Sequence, residues 1–296
     1  DYMGTGSLGL PAPNPGTPVY KDTDGGAYVV TISGNYAYVA DFTSGLAIID
    51  ISNPASPGTP AYRDTNGNAM GVTISGNYAY IADGTAGLAI IDISNPASTG
   101  TPLYIDTNGY ASGVTISGNY AYVADGASGL AIINISDPTN PGTPIYRDTR
   151  ITNGGSSRLI IRDNYAYIAD HSANGEAALV IINVSDPTNP GTPVYETLGN
   201  GYGGDDIAIS GNYAYVAAGA QGIAVIDISD PTNPGIPVFE DTNNVPWGID
   251  INGNYIYIAD YDYQGSALVV SDILDPTNPG TPVYKNTIGD VRGVTI

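Results

Sequence analysis

Apolar and polar residues come in short runs along this chain, and the runs return in the same order. In the clearest stretch, GVTI opens at Gly71, the turn Ser75-Gly76-Asn77 follows, and YAYIAD fills 78–83. A glycine-bounded turn at 84–87 leads to LAIIDIS at 88–94, and a proline-rich connection leads to LYIDT at 103–107. Runs of this length, rich in Val, Ile and Tyr and bounded by Gly, Asn or Pro, predict β-strands. The short turns make consecutive strands antiparallel neighbours. The third run is apolar on both faces, so its sheet must be covered on both sides.

The phrase repeats. The Asn of its GNYAY or DNYAY core falls at Asn35, Asn77, Asn119, Asn164, Asn212 and Asn254, with spacings of 42, 42, 45, 48 and 42 residues. A fixed period of this size marks units that cannot bury their own faces and must stack on neighbours. Four-stranded antiparallel sheets, each covered by the next, describe an all-β fold, the β-propeller. A β-solenoid is the rival, but its coils are shorter and parallel.

First-type strands open seven times, at Val29, Gly71, Gly113, Leu159, Asp206, Gly248 and Gly293. The aromatic of the fourth-type strand also occurs seven times, at Tyr20, Tyr62, Tyr104, Tyr146, Tyr195, Phe239 and Tyr284, whereas the middle two types occur six times. The expectation is six complete blades plus an incomplete, composite seventh. Its outer strand comes from Pro18, Val19 and Tyr20, its inner strand from Val291, Gly293, Val294 and Ile296. Inner and outer strands of a blade stand about 14 Å apart and cannot bond directly. Three readings fit: a piece of a longer protein, a six-bladed ring with two spare strands, or strands added by another chain. If the donor is an identical subunit, the contact is head-to-tail and gives an open filament unless rotation closes it. Residues 1–14 are assigned to an N-terminal extension and 15–296 to one propeller domain. The chain opens on Asp1 rather than Met and reads as processed or trimmed.

The LAIIDIS phrase, with variants at 46–52, 130–136 and 223–229, resembles the LVIVD repeat. That family is known from bacterial and archaeal surface and secreted proteins with a propeller fold. The resemblance implies a secreted or cell-surface location and a non-enzymatic scaffold or binding role. It brings no shared catalytic residues.

Charge narrows the partners. The chain carries 29 acidic and 8 basic residues, a net charge of −21. Only Glu176, Glu196 and Glu240 are Glu; the skew toward Asp, a turn residue, also disfavours helix. So acidic a surface disfavours nucleic acid and anionic membranes. No apolar run reaches the roughly 18 residues of a membrane helix. Cysteine is absent, so no disulfides form. The partners expected are further copies of the chain, another surface protein or a glycan.

The copies diverge on one face. The loops after the second strand read DFTSG, DGTAG, DGASG, DHSANGEAA, AGAQG and DYDYQGSA, and both insertions that lengthen the period fall here or in the facing crossovers. His171, Trp247, Phe42, Tyr110, Tyr202, Tyr261 and Tyr263 gather on this face, a candidate binding surface for a glycan or protein. Solvated-loop drift explains the divergence equally well.

Catalytic chemistry finds little purchase. The lone His171 has no nucleophile-elbow motif beside it, and zinc lacks ligands. No enzymatic activity is expected. Asp22-Thr23-Asp24-Gly25 has the D-x-D-G opening of a calcium loop, making Asp22 and Asp24 candidate ligands, but the bidentate Glu of such a loop is missing. Asp41, Asp83, Asp125, Asp170 and Asp260 close the second strands and are expected to bond backbone amides. Asn134-Ile135-Ser136 and Asn183-Val184-Ser185 match the N-glycosylation sequon but stand where other copies carry Asp, and read first as structural. The Tyr-Ala-Tyr pairs are assigned to packing between blades.

Overall fold

A computed structural model describes residues 19, 21–149, 158–171, 176–200, 206–242, 244–261, 267–276, 279–286 and 293–295. Six four-stranded antiparallel sheets follow one another along the chain, each with its strands in sequence order. They form blades one to six of a propeller, spanning 29–63, 71–105, 113–147, 158–200, 207–240 and 245–286. The first strand of each blade lies beside the first strand of the next, from blade one to blade six.

Blade two shows how the phrase folds. Its strands are Gly71–Ser75, Tyr78–Ala82, Leu88–Asp92 and Leu103–Ile105. In register, Tyr80 faces Thr73 on one side and Ile90 on the other. Gly76 makes the first turn with φ +57°, a conformation that costs a side-chain-bearing residue. Most fourth strands are only three residues long and each follows a proline, such as Pro60 and Pro102. Such short, proline-flanked strands blunt the outer edges against pairing with other chains.

The predicted strands are recovered with small shifts. The second strand stops at Ala82 because Asp83 turns its side chain into a buried bond. In blade six the first strand begins at Val245, so Trp247 lies in a strand, at a register shift between Pro246 and Gly248, rather than in a crossover. The terminal strands differ more. Val19 and residues 293–295 lie in no strand, while Pro18, Tyr20, Val291 and Ile296 fall outside the described residues. A strand needs a ladder partner, and among the described residues no middle strand stands between these two segments.

The aspartates that close the second strands join one blade to the next. Asp83 is fully buried; its Oδ1 accepts the hydroxyl of Thr65 at 2.6 Å and its Oδ2 the backbone N–H of Gly67 at 2.9 Å. Thr65 and Gly67 follow the fourth strand of blade one, so the bonds cross the junction. The same latch joins Thr107 and Gly109 to Asp125, and Thr23 and Gly25 to Asp41. Glycine is required there: a Cβ on Gly67 would sit 1.9 Å from the Asp83 carbonyl oxygen. This explains the D-x-D-G phrase. Thr23 and Gly25 serve the latch, while Asp22 and Asp24 are exposed. Among the described residues no group of three His, Cys, Asp or Glu is placed to hold a metal.

Blade five rewrites the latch. The position of Asp83 is taken by Ala218, and that of Thr65 by Leu198; both are fully buried in one apolar cluster. Both polar partners were exchanged together, as expected when a buried group left alone loses its hydrogen bond. Restoring one partner alone, by Leu198→Thr or Ala218→Asp, is expected to cost about 2–4 kcal/mol. The double change should cost less than the sum by about 1–2 kcal/mol in a urea-denaturation cycle. Strict additivity would show that the two positions are not coupled.

Burial raises the Asp125 carboxyl from its usual value of 3.8 to about 6, against the bonds from Thr107 and Gly109, which favour its charged form. A carboxyl whose folded pKa is raised gives stability that is full below its unfolded value and lost as pH rises through the folded value. Asp125→Asn removes this titration. The difference in Tm between the native chain and Asp125→Asn should therefore narrow as pH is raised from 4 to 7. A constant difference would show that Asp125 titrates normally.

Candidate functional site

Each blade presents two apolar walls. In blade two, Ala79, Ile81, Ala89 and Ile91 point back to blade one and meet Tyr38, Ala40, Leu46 and Ile48. Tyr80, Ala82, Leu88 and Ile90 point forward to blade three. Strand alternation produces this division, since neighbours along a strand face opposite sides. Equivalent clusters join blades three and four, four and five, and five and six.

The boundary between blades six and one breaks the rule. The backward wall of blade one, Ala37, Val39, Ala47 and Ile49, is buried, but among the described residues its cluster contains Val30 and Ile51 of its own blade and nothing from blade six. Beside it Ile32 is 53% exposed, while its counterparts Ile74, Ile116, Ile161, Ile209 and Ile251 are half-buried. On the forward wall of blade six Ala259 and Val270 are buried, but the two large side chains are less covered than their copies. Tyr257 is only half-buried, whereas Tyr38, Tyr80, Tyr122, Tyr167 and Tyr215 are 1–3% exposed in the same register. Leu268 is half-buried, whereas Leu46, Leu88, Leu130 and Leu179 are fully buried.

Segments from both ends of the described chain reach this boundary. Thr23 and Gly25 are latched to Asp41 of blade one. Gly293 lies against the backbone of Tyr28, close enough that a Cβ would come within 3.1 Å of its carbonyl oxygen. Of the residues assigned from sequence to terminal assembly strands, Val19, Gly293 and Val294 are described, with Val19 55% exposed.

On the divergent face, loops and crossovers do meet: Phe42 pairs with Ala69, and Gly84 with Ala111. Phe42 holds φ +50°, where three of the five other copies place Gly84, Gly126 and Gly219 and the remaining two place His171 and Tyr261. It stacks on Tyr28 with ring centroids 5.4 Å apart, and Trp247 meets Tyr261 edge-on at 5.8 Å. Tyr110 instead lies over Gly84, its ring within 3.3 Å of where a Cβ would stand. The structure thus forms two aromatic pairs and uses Tyr110 as packing. His171 ends the second strand of blade four; Tyr202 and Tyr263 fall outside the described residues.

A family model described as the LVIVD repeat matches residues 24–61, 66–107, 108–145, 153–193, 203–238 and 246–286. The chain belongs to the LVIVD-repeat family. Each LVIVD match ends within or just beyond a fourth strand, or, in blades four and five, at its edge, so the family's unit and the structural blade coincide closely. No curated protein matches the chain. Its fold is that of solved propellers. The structure of U3-55K aligns with a TM-score of 0.70 at 9% identity, covering 92% of this chain and 85% of that one. A putative 6-phosphogluconolactonase from Bacteroides uniformis aligns with a TM-score of 0.69 at 15% identity, covering 87% and 83%. A functionally unknown protein from Desulfotomaculum acetoxidans aligns at 0.64 and 15% identity, covering 88% and 86%. At these identities the likeness is one of fold alone.

Sequence reading missed Ile32, Tyr257 and Leu268, because their copies elsewhere are the same residue types in the same phrase. The LVIVD strand count was the signal that pointed to this boundary. If neighbour coverage sets the value of each wall, Tyr80→Ala should cost about 3–5 kcal/mol. Tyr257→Ala should cost less than about half of that, measured by the same denaturation. Equal losses would mean that Tyr257 is covered in solution.

Proposed function

We propose that this LVIVD propeller is a non-catalytic scaffold of the cell exterior, and that its working surface is the boundary between blades six and one. The observation that carries this reading is that Ile32, Tyr257 and Leu268, on the two walls that face this boundary, are more exposed than their copies at the other junctions. Five junctions display what such walls pack against: strands of this same repeat. A second copy of the chain carries such strands, and their addition at the boundary is the mode of assembly proposed. The contact joins unlike surfaces, so it propagates head-to-tail and gives a filament unless rotation closes it. The polar residues that chemistry would first recruit are engaged otherwise, the buried aspartates Asp41, Asp83 and Asp125 being held by their latches. The acidic, lysine-poor surface supports an exterior location for an assembly that avoids nucleic acid.

A second reading places ligand binding, of a glycan or protein, on the divergent face. Phe42 favours it: an aromatic residue held at positive φ, where glycine would be relaxed, spends about 1–2 kcal/mol of stability.

Light scattering across a concentration series separates the two. The scaffold reading expects mass to rise above the 30.4 kDa of one chain. That rise should vanish in Ile32→Lys/Leu268→Lys and persist in Phe42→Gly. A single-chain mass throughout, or association that survives the wall substitutions, overturns it; association lost only in Phe42→Gly moves the interface to the divergent face.

A further inference from the structure

The six third strands end in one shared turn. Its side chain comes from Asp50, Asp92, Asn134, Asn183, Asp227 and Asp272. In each, Oδ1 accepts the backbone N–H two residues on, from Ser52, Ser94, Ser136, Ser185, Ser229 and Leu274, at 2.8–2.9 Å. This is an Asx turn. In the aspartate copies the turn favours charge: bonds from the following serine hold Asp50, Asp92 and Asp227 below the usual carboxylate value. Asparagine keeps the turn but gives up that charge, so the exchange at Asn134 and Asn183 is not neutral for the turn.

Both exchanges create Asn-x-Ser, and both asparagines are exposed. The turn engages Oδ1 and makes no use of Nδ2. At Asn183 the serine hydroxyl also donates to Oδ1, at 2.7 Å, so hydroxyl and amide are already together. The two sites lie in adjacent blades, three and four, the pair farthest around the ring from the boundary between blades six and one. They sit on the third-to-fourth connections, at the opposite end of the sheets from the divergent loops. A bulky chain there would obstruct neither surface.

We propose that Asn134 and Asn183 are acceptors for N-linked glycans, an inference that rests on the exterior reading above. The co-reactant is a lipid-phosphate-linked sugar, presented by the transferase of an export pathway. Nδ2 bonds to the anomeric carbon of that sugar; the bond from that carbon to the phosphate oxygen breaks. The phosphate leaves with the electron pair, and the amide nitrogen gives up one proton. The acceptor's Oδ1 keeps its bonds from the serine, so the turn survives modification.

The test is export of the full chain through a yeast secretory pathway, followed by intact mass and peptide mapping. Added mass should map to Asn134 and Asn183 and be released by a glycan-cleaving amidase that leaves Asp at both. Asn134→Asp/Asn183→Asp should be exported with no added mass and with the Tm of the amidase-treated chain, to which it is covalently identical. Ser136→Ala and Ser185→Ala should each lose modification at their own site. An exported chain of unmodified mass, or sugar attached at other residues only, overturns the proposal and leaves the exterior reading standing. That reading fails separately, if the protein in its own cells is found inside them.

Discussion

A blade of this chain cannot hide its own faces. Each sheet is two strands of small and branched apolar residues between a first and a fourth strand, one layer thick, so its buried side chains depend on the neighbouring blades. Tyr80 is buried only because blade three stands over it, and Ile81 only because blade one does. The rest of the architecture follows from this mutual cover. It sets the alternation of Ala and Tyr along the second strand, the doubly apolar third strand, and the near-identity of the six copies.

Mutual cover is not directional, and the latches add direction. At blades one to three the Thr-x-Gly segment that precedes the blade meets the Asp closing its second strand, so these blades are held in order as well as in contact. The carboxylate is buried at a cost, offset by two donors in fixed geometry. Blade five shows that order can be kept without charge, provided both partners change: Leu198 packs where a threonine stood and Ala218 where an aspartate stood. A second set of aspartates, Asp50, Asp92 and Asp227, is exposed and stabilised as anions by turn amides. Part of the large negative charge is thus lodged at junctions and turns, where these six carboxylates have their own donors.

Most of the fold was legible in the residues because every local signal agrees. Turn glycines, strand composition and period all give the same four strands, and six copies repeat the evidence. The latch was half legible: Asp83 was expected to bond amides, but its partner lies in the preceding blade, which no local pattern reveals. Trp247 was misplaced by a few residues because a bulge lets a strand begin earlier than its copies do. The site was legible only as a count. Nothing in Tyr257 or Ile32 as letters distinguishes them from Tyr80 or Ile74; their difference is the neighbour, and neighbours are a property of position in the ring. Tyr202, Tyr263 and the termini fall outside the described residues.

Uniform repeats therefore divide labour in a particular way. The lateral walls cannot vary without losing cover, and the Asx-turn face varies little because its turns close the outer strands. Only the loops after the second strand are free; there Phe42 appears, and the Trp247–Tyr261 pair stands at the strand ends beside them. Yet the same uniformity makes the walls generic: any wall fits any repeat. A partly covered wall is then a ready interface without one residue having been specialised for it. Assembly through the boundary requires no invention, whereas recognition through the loops does, and the strained Phe42 is what such invention looks like in the backbone.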